Sequence, residues 1–239
     1  MGTTKKSSSK KDKDYDIKAI YEISRAITSD MYIEDILKLI VNVTAEVTGS
    51  KICSIMLVDE KDDLIKIRAT QAMSDEYLKK PPLKIGEGIA GKVVQTGKPL
   101  IIPDVREEPE YKYRDIAVKE GLVSMLAVPM NVKGKVIGVL NIYTARPHHF
   151  TEREIEILTS IANQSAIIIE NTELMVKTKV LEEEIETRKK IEKAKGILMK
   201  EENLTEEEAY NKLRKFSMDN RKSMKEVAEA IIIAHEIKK

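Results

Sequence analysis

Apolar positions along this chain change period several times, and each change marks an element. Ile17, Ile20, Tyr21, Ile23, Ile27, Ile33, Ile36, Leu37, Ile40, Val41 and Val47 recur at three- and four-residue steps. That spacing predicts helix, with Ser29-Asp30 as the place where it could break and Gly49 as its stop. The period then falls to two. Lys51 to Asp59 is rich in β-formers and Leu64 to Thr70 alternates, so the charged stretch Glu60 to Asp63 reads as the turn of a hairpin. Pro81-Pro82 marks a loop, Ile89 to Gln95 a short helix stopped by Gly97, and Leu100 to Ile102 a short strand ended by Pro103-Asp104. Glu107 to Glu120 reads as loop and short helix. Leu122 to Val132 and Lys135 to Tyr143 form a second strand pair around Lys133-Gly134.

From Thr151 the period returns to helix and stays there. Thr151 to Glu154 is a capping box: the threonine hydroxyl accepts from the third helical N–H and the glutamate reaches back. Ile155, Leu158, Ala162, Ser165, Ile169, Thr172 and Val176 then alternate steps of three and four, a heptad-like seam that resumes at Leu181, Ile185 and Ile191. Such a seam suits pairing between two copies, while its first half also packs on its own sheet. Two more capping boxes, Thr205 to Glu208 and Ser223 to Glu226, open two further helices. Ala209, Leu213 and Phe216 are the expected inward face of one; Met224, Val227, Ala228, Ile231 and Ala234 are that of the other.

Composition adds bounds to this picture. With 239 residues, 42% hydrophobic and 34% charged, the chain supports a real core with strongly solvated helix faces. No apolar run is long enough to span a bilayer and none near Met1 resembles a signal peptide, so the expectation is a cytoplasmic protein with no membrane partner. The single cysteine, Cys53, excludes a disulfide framework within the chain. The net charge of +1 hides an asymmetry: from Arg188 to Lys239 there are fourteen Lys/Arg against ten Asp/Glu. Residues 1–16, mostly Lys, Ser and Asp, read as a disordered basic tail.

Candidate chemistry is sparse. Gly86-Glu87-Gly88-Ile89-Ala90-Gly91 matches the GxGxxG string literally. It follows a hairpin and a Pro-Pro loop instead of the first strand of a βαβ unit, and no acidic residue closes a second strand at the required spacing. The string therefore reads as a tight entry into a short helix. Of three histidines, His148 and His149 lie in the closing turn and His235 near the end. None has a spaced partner for a metal or haem, and no cofactor is expected.

The middle of the chain resembles a GAF domain. The resemblance rests on Ile52 to Asp59, the run GEGIAGKVVQTGKPLIIPDV from Gly86 to Val105, the strands Ser124 to Pro129 and Val136 to Asn141, and Phe150 to Glu154 before the exit helix. It implies an α+β sensor, an antiparallel sheet flanked by helices, and a small molecule held between sheet and loops in many members. No ligand residues can be named from it. A bilin would need a cysteine in the loop region, the methionine-sulfoxide reductases of this fold use several cysteines, and the Asn-Lys-Phe-Asp-Glu string of cyclic-nucleotide members is absent. Cys53 within a strand reads as a buried small hydrophobe. An enzyme is not expected.

The last quarter resembles an ANTAR domain, on the run Ile191 to Met199, then Thr205-x-x-Glu-Ala209, Leu213-Arg214 with Met218, and Val227-Ala228. The resemblance implies an all-α three-helix, RNA-binding antiterminator that acts as a dimer on paired hairpins of nascent RNA. On the first of these helices Lys189, Lys193, Gly196 and Lys200 form a stripe opposite Ile191, Ala194 and Leu198. Glycine costs about 1 kcal/mol in a helix interior relative to alanine, so its place among lysines suits close approach of a phosphodiester chain, or else a packing contact. The expected RNA contacts are Lys189, Lys193, Lys195, Gly196, Lys200, Arg214, Lys215 and Arg221.

The expected organisation is thus a tail over 1–16, a GAF domain over 17–170, a coiled-coil linker helix over 171–186 and an ANTAR domain over 187–239. A homodimer would form through the helix over 155–185. The alternative is a dimeric DNA-binding regulator with a ligand-sensing GAF domain. Its recognition helix would offer mainly Lys225, Glu226 and Glu229 before Ile232 and Ile233, a poor set for a major groove.

Overall fold

The structure, a computed structural model, describes residues 33–72 and 74–237. The helix expected to begin at Ile17 and the basic tail therefore lie largely or wholly outside the described residues. Two compact units divide between Glu173 and Leu174.

The first unit is a sheet between two helical layers. Helix α1 (Ile33–Thr48) places Ile36, Leu37, Ile40, Val41 and Thr44 inward at helical spacing, and Gly49 ends it in the left-handed region at φ 63°. The six strands are β1 (Ile52–Asp59), β2 (Leu64–Thr70), β3 (Leu83–Lys84), β4 (Leu100–Ile102), β5 (Met125–Val132) and β6 (Lys135–Tyr143). They are antiparallel throughout, in the order β3-β2-β1-β6-β5-β4. Strand β1 sits inside the sheet and reads as a continuous apolar run because both its faces are covered. Cys53, Ile55 and Leu57 turn to the layer of α1 and the start of the long helix. Ile52 and Met56 turn to the opposite layer, made by α2 (Asp75–Leu78), α3 (Gly88–Thr96), α4 (Arg114–Glu120) and their loops. The short α2 and the two-residue β3 escape periodicity, because two to four residues show no period. Burial pushes the Cys53 thiol far above its usual range, as befits a buried hydrophobe.

The glycine string is structural. Gly86 N–H bonds Gly91 O at 2.9 Å, Glu87 N–H bonds Lys84 O at 2.9 Å, and Gly91 N–H bonds Glu87 O at 3.1 Å. Those amides are spent inside the turn instead of facing a phosphate. A Cβ at Gly91 would lie 2.5 Å from the Lys84 carbonyl oxygen. Gly91→Ala is therefore expected to lower the urea midpoint of the first unit by an amount worth about 1–3 kcal/mol, since backbone cannot swing aside as a side chain can.

Helix α5 (Glu152–Glu202) is continuous over 51 residues. Its capping box forms as expected: Glu154 N–H donates to Thr151 Oγ1 at 3.3 Å and Thr151 N–H to Glu154 Oε2 at 2.7 Å. The first half of the seam packs on its own sheet as expected, which narrows the pairing expected over 155–185 to the part beyond Ile169. Leu158, Ala162, Ser165 and Ile169 are buried in the first unit's own core, so this half of the seam is already covered within one chain. Past Thr172 the exposed apolar residues are instead Leu174, Met175, Val176, Val180, Leu181 and Ile185. Among the described residues, no helix is long and apolar enough to cross a membrane.

Candidate nucleic-acid interface

The second unit joins the end of α5 to α6 (Glu206–Asn220) and α7 (Met224–Ile237). Its buried centre is Ala194 and Leu198 of α5, Ala209 and Leu213 of α6, and Val227 and Ala228 of α7. Alanine at three of those positions brings the helix backbones close. Both helix starts expected from the sequence form: Thr205 and Glu208 cap α6 reciprocally, and Glu226 N–H donates to Ser223 Oγ at 3.2 Å while Ser223 N–H donates to Glu226 Oε2 at 2.8 Å. Helix α6 ends at Arg221, which takes the left-handed conformation at φ 52° where glycine is usual.

Two of the inward assignments are wrong. Phe216 is 57% exposed although it shares an arc with Ala209 and Leu213. It lies one turn beyond Leu213, where the buried cluster has ended. Ala234 is exposed as well, and Ile232 rather than Ala234 packs against the cluster beside Ile231. Periodicity states which way a side chain points, but not how far along a helix its neighbours reach.

The structure separates the eight expected contact residues into two groups. Lys195 points toward the start of α6 and is only 7% exposed. Its ammonium bonds Glu206 at 2.8 Å and Glu192 at 2.9 Å, and those hydrogen bonds, Glu206 first, hold its pKa above the usual lysine value. It is spent on closing α5 against α6 and is withdrawn as a surface contact. Lys193 is exposed but turned toward α7, 2.9 Å from Glu236. Lys190, not singled out from the sequence, pairs with Glu229 of α7 at 2.8 Å, which raises its pKa.

What remains are two sets of solvent-facing cations, one on α5 and one on α6. Lys189, Gly196 and Lys200 lie within about 40° of arc on α5, at ~100° per residue. Both lysines are exposed, and a Cβ added at Gly196 would meet nothing within 4 Å. The packing alternative for Gly196 thus finds no support among the described residues: alanine would fit, and would suit the helix better. Arg214 and Lys215 are exposed on α6, and Arg221 is exposed at its end. Among the described residues, none of Lys189, Lys200, Arg214, Lys215 and Arg221 has a recorded ion pair, whereas Lys190, Lys193, Lys195, Lys212 and Lys222 all have one. Cations without internal partners can take phosphate oxygens without first breaking a pair. Tyr210 and Phe216 of α6 are also exposed, so their rings are available for stacking.

Comparison with known proteins agrees with this layout. The GAF domain family model matches residues 31–170 and the ANTAR domain model matches residues 179–232. A "Nif-specific regulatory protein" of Azospirillum lipoferum is 28% identical over 150 residues, 60% of this chain and 24% of that protein. The "Transcriptional regulatory protein PdtaR" of Mycobacterium tuberculosis is 40% identical over 63 residues, 26% of this chain and 31% of that one. The chain thus spans about a quarter to a third of these relatives. Among solved structures, the GAF domain of a phosphoenolpyruvate-protein phosphotransferase from Coxiella burnetii superposes with TM-score 0.61 at 26% identity, over 69% of this chain and 98% of that one.

Proposed function

The chain belongs to the GAF domain family and carries an ANTAR domain after it, and from that premise we propose that it is an RNA-binding transcription antiterminator whose GAF unit controls a paired ANTAR output. The observation that carries the reading is the stripe of Lys189, Gly196 and Lys200, its two lysines exposed and without internal ion pairs among the described residues, interrupted by a glycine that the fold does not need. Arg214, Lys215 and Arg221 of α6 form a second exposed basic set. The target is a pair of RNA hairpins, whose backbones the cations grip and whose loops supply the sequence. Lys193 joins the set if its pair with Glu236 opens.

Pairing would use α5 beyond Thr172. Leu174, Thr178, Leu181 and Ile185 fall at steps of four, three and four, and the three apolar ones are about half exposed, at 47%, 57% and 56%. A second copy of the same helix is the partner such a stripe fits, and the dimer then presents two RNA surfaces to two hairpins. The protein is proposed to act in the cytoplasm, without enzymatic activity of its own.

The direct experiment compares binding of a tandem-hairpin RNA and a palindromic duplex DNA at one salt concentration. RNA is expected to bind at least tenfold tighter, and preference for the duplex would overturn the reading. Gly196→Ala sharpens it. The variant is expected to gain about 0.5–1 kcal/mol in thermal stability while losing RNA affinity about tenfold. Unchanged affinity would remove Gly196 from the interface.

A further inference from the structure

On the side of the sheet away from α2, α3 and α4 lies a cleft that RNA binding does not use. It opens where the end of α1, the end of β6 and the first turns of α5 meet. Its volume is about 230 Å³, room for about seven waters at ~30 Å³ each. Val47, Ile142, Phe150 and Ile157 supply its apolar wall, and all four belong to or pack against the cluster between α1, the sheet and α5.

The polar rim is one-sided. Thr48 Oγ1 donates to Thr44 O at 2.7 Å, and Thr144 Oγ1 donates to Arg146 O at 2.7 Å. Thr48 Oγ1 and Ser50 Oγ lie 3.0 Å apart; with the Thr48 proton on Thr44, the Ser50 proton closes that bond. His148 Nε2 stands 2.8 Å from Glu154 Oε1, so in the neutral ring that nitrogen holds the proton and Nδ1 is an acceptor. Each of these side-chain protons is committed, while lone pairs remain on the hydroxyls, the imidazole and Glu154.

Charge agrees with that inventory. The cleft lies at the C-terminal end of α1, where the final carbonyls have no helical N–H beyond them and the helix carries about half a negative charge. No basic side chain stands in the last turn of α1, and none of the described residues lining the cleft is lysine or arginine. Lys51, just beyond, gives its ammonium to the carbonyls of Glu120 and Gly121 instead.

We propose that this cleft binds a primary ammonium ion with a short branched alkyl body. Its N–H donors meet Glu154, the hydroxyls and the last carbonyls of α1, and its body lies against Val47, Ile142, Phe150 and Ile157. A carboxylate of the same shape meets the wrong charge and finds no uncommitted side-chain donor; an alcohol brings one donor and no charge. The bound ion ties the end of α1 to the first turns of α5. This goes beyond the RNA reading and is tested without RNA, so its failure leaves that reading untouched.

Isopentylammonium is the probe, titrated into the full chain by calorimetry at neutral pH, with isovalerate, isopentyl alcohol and methylammonium as comparisons. It is expected to bind at least tenfold tighter than each. Glu154→Gln removes the charge but keeps the capping box, which accepts glutamate or glutamine at that place, and should weaken isopentylammonium at least tenfold. Thr48→Lys brings a cation to the same end of α1, where a basic residue suits the helix. It should abolish binding without lowering the thermal midpoint. Isovalerate or methylammonium binding as tightly as isopentylammonium, or undiminished binding by Thr48→Lys, would each overturn the proposal.

Discussion

Reversal of Lys189, Lys200 and Arg214 to glutamate is expected to lower affinity for a tandem-hairpin RNA at least a hundredfold near 0.1 M salt, with thermal unfolding essentially unchanged. The three side chains are exposed, and among the described residues none has a recorded ion pair, so replacing them removes no contact that holds the helices together. Surface changes of that kind stay within about 0.5 kcal/mol. Their effect on a polyanion is large because each cation lost also forfeits the release of a condensed counterion. The slope of log affinity against log salt is expected to flatten by about 2 in the triple variant, at ~0.7 per phosphate contact on single strands. An unchanged slope with lower affinity would point to misfolding rather than lost contacts. Lys195→Glu is the contrasting case. It sets three carboxylates together at Glu192, Glu206 and position 195, in a side chain only 8% exposed. Loss of binding in that variant is expected to come with loss of stability, so it would say little about the interface.

The second large effect concerns α5. Leu181→Glu with Ile185→Glu is expected to convert a dimer into a monomer in sedimentation equilibrium. Both positions are exposed in the single chain, so the substitutions leave its own core intact. In a paired helix they would place like charges on facing seam positions. Affinity for two linked hairpins should then fall by about a hundredfold, because the second contact is no longer intramolecular, while affinity for one isolated hairpin changes less than threefold. A parent chain that sediments as a monomer would end the pairing reading. An equal loss on one hairpin and on two would show that the helix serves some purpose other than avidity.

Much of the first unit is legible from period alone. The hairpin around Glu60 to Asp63, the strand Leu100 to Ile102 and the pair around Lys133-Gly134 all appear at the expected residues, since a change between period two and period three to four is a local property of the chain. Capping boxes are equally local, and Thr151, Thr205 and Ser223 all form theirs. The tyrosine cluster around Lys80 was not legible, because Tyr77, Lys80, Tyr111, Tyr113 and Tyr143 are scattered over α2, two loops and β6 and meet only in the folded sheet.

In the second unit the same division holds residue by residue. Helix angle alone placed Lys189, Gly196 and Lys200 on the solvated side of α5, because a stripe depends only on the ~100° step of the helix. It could not tell Lys200, which has no ion pair among the described residues, from Lys193 and Lys195, which meet Glu236 and Glu206 contributed by other helices. The sequence by itself determined the longer elements, their capping boxes and the arc on which each helical side chain lies. The tertiary structure alone decided which of those side chains were already occupied, since occupancy depends on neighbours distant in the chain whose distances no local pattern encodes.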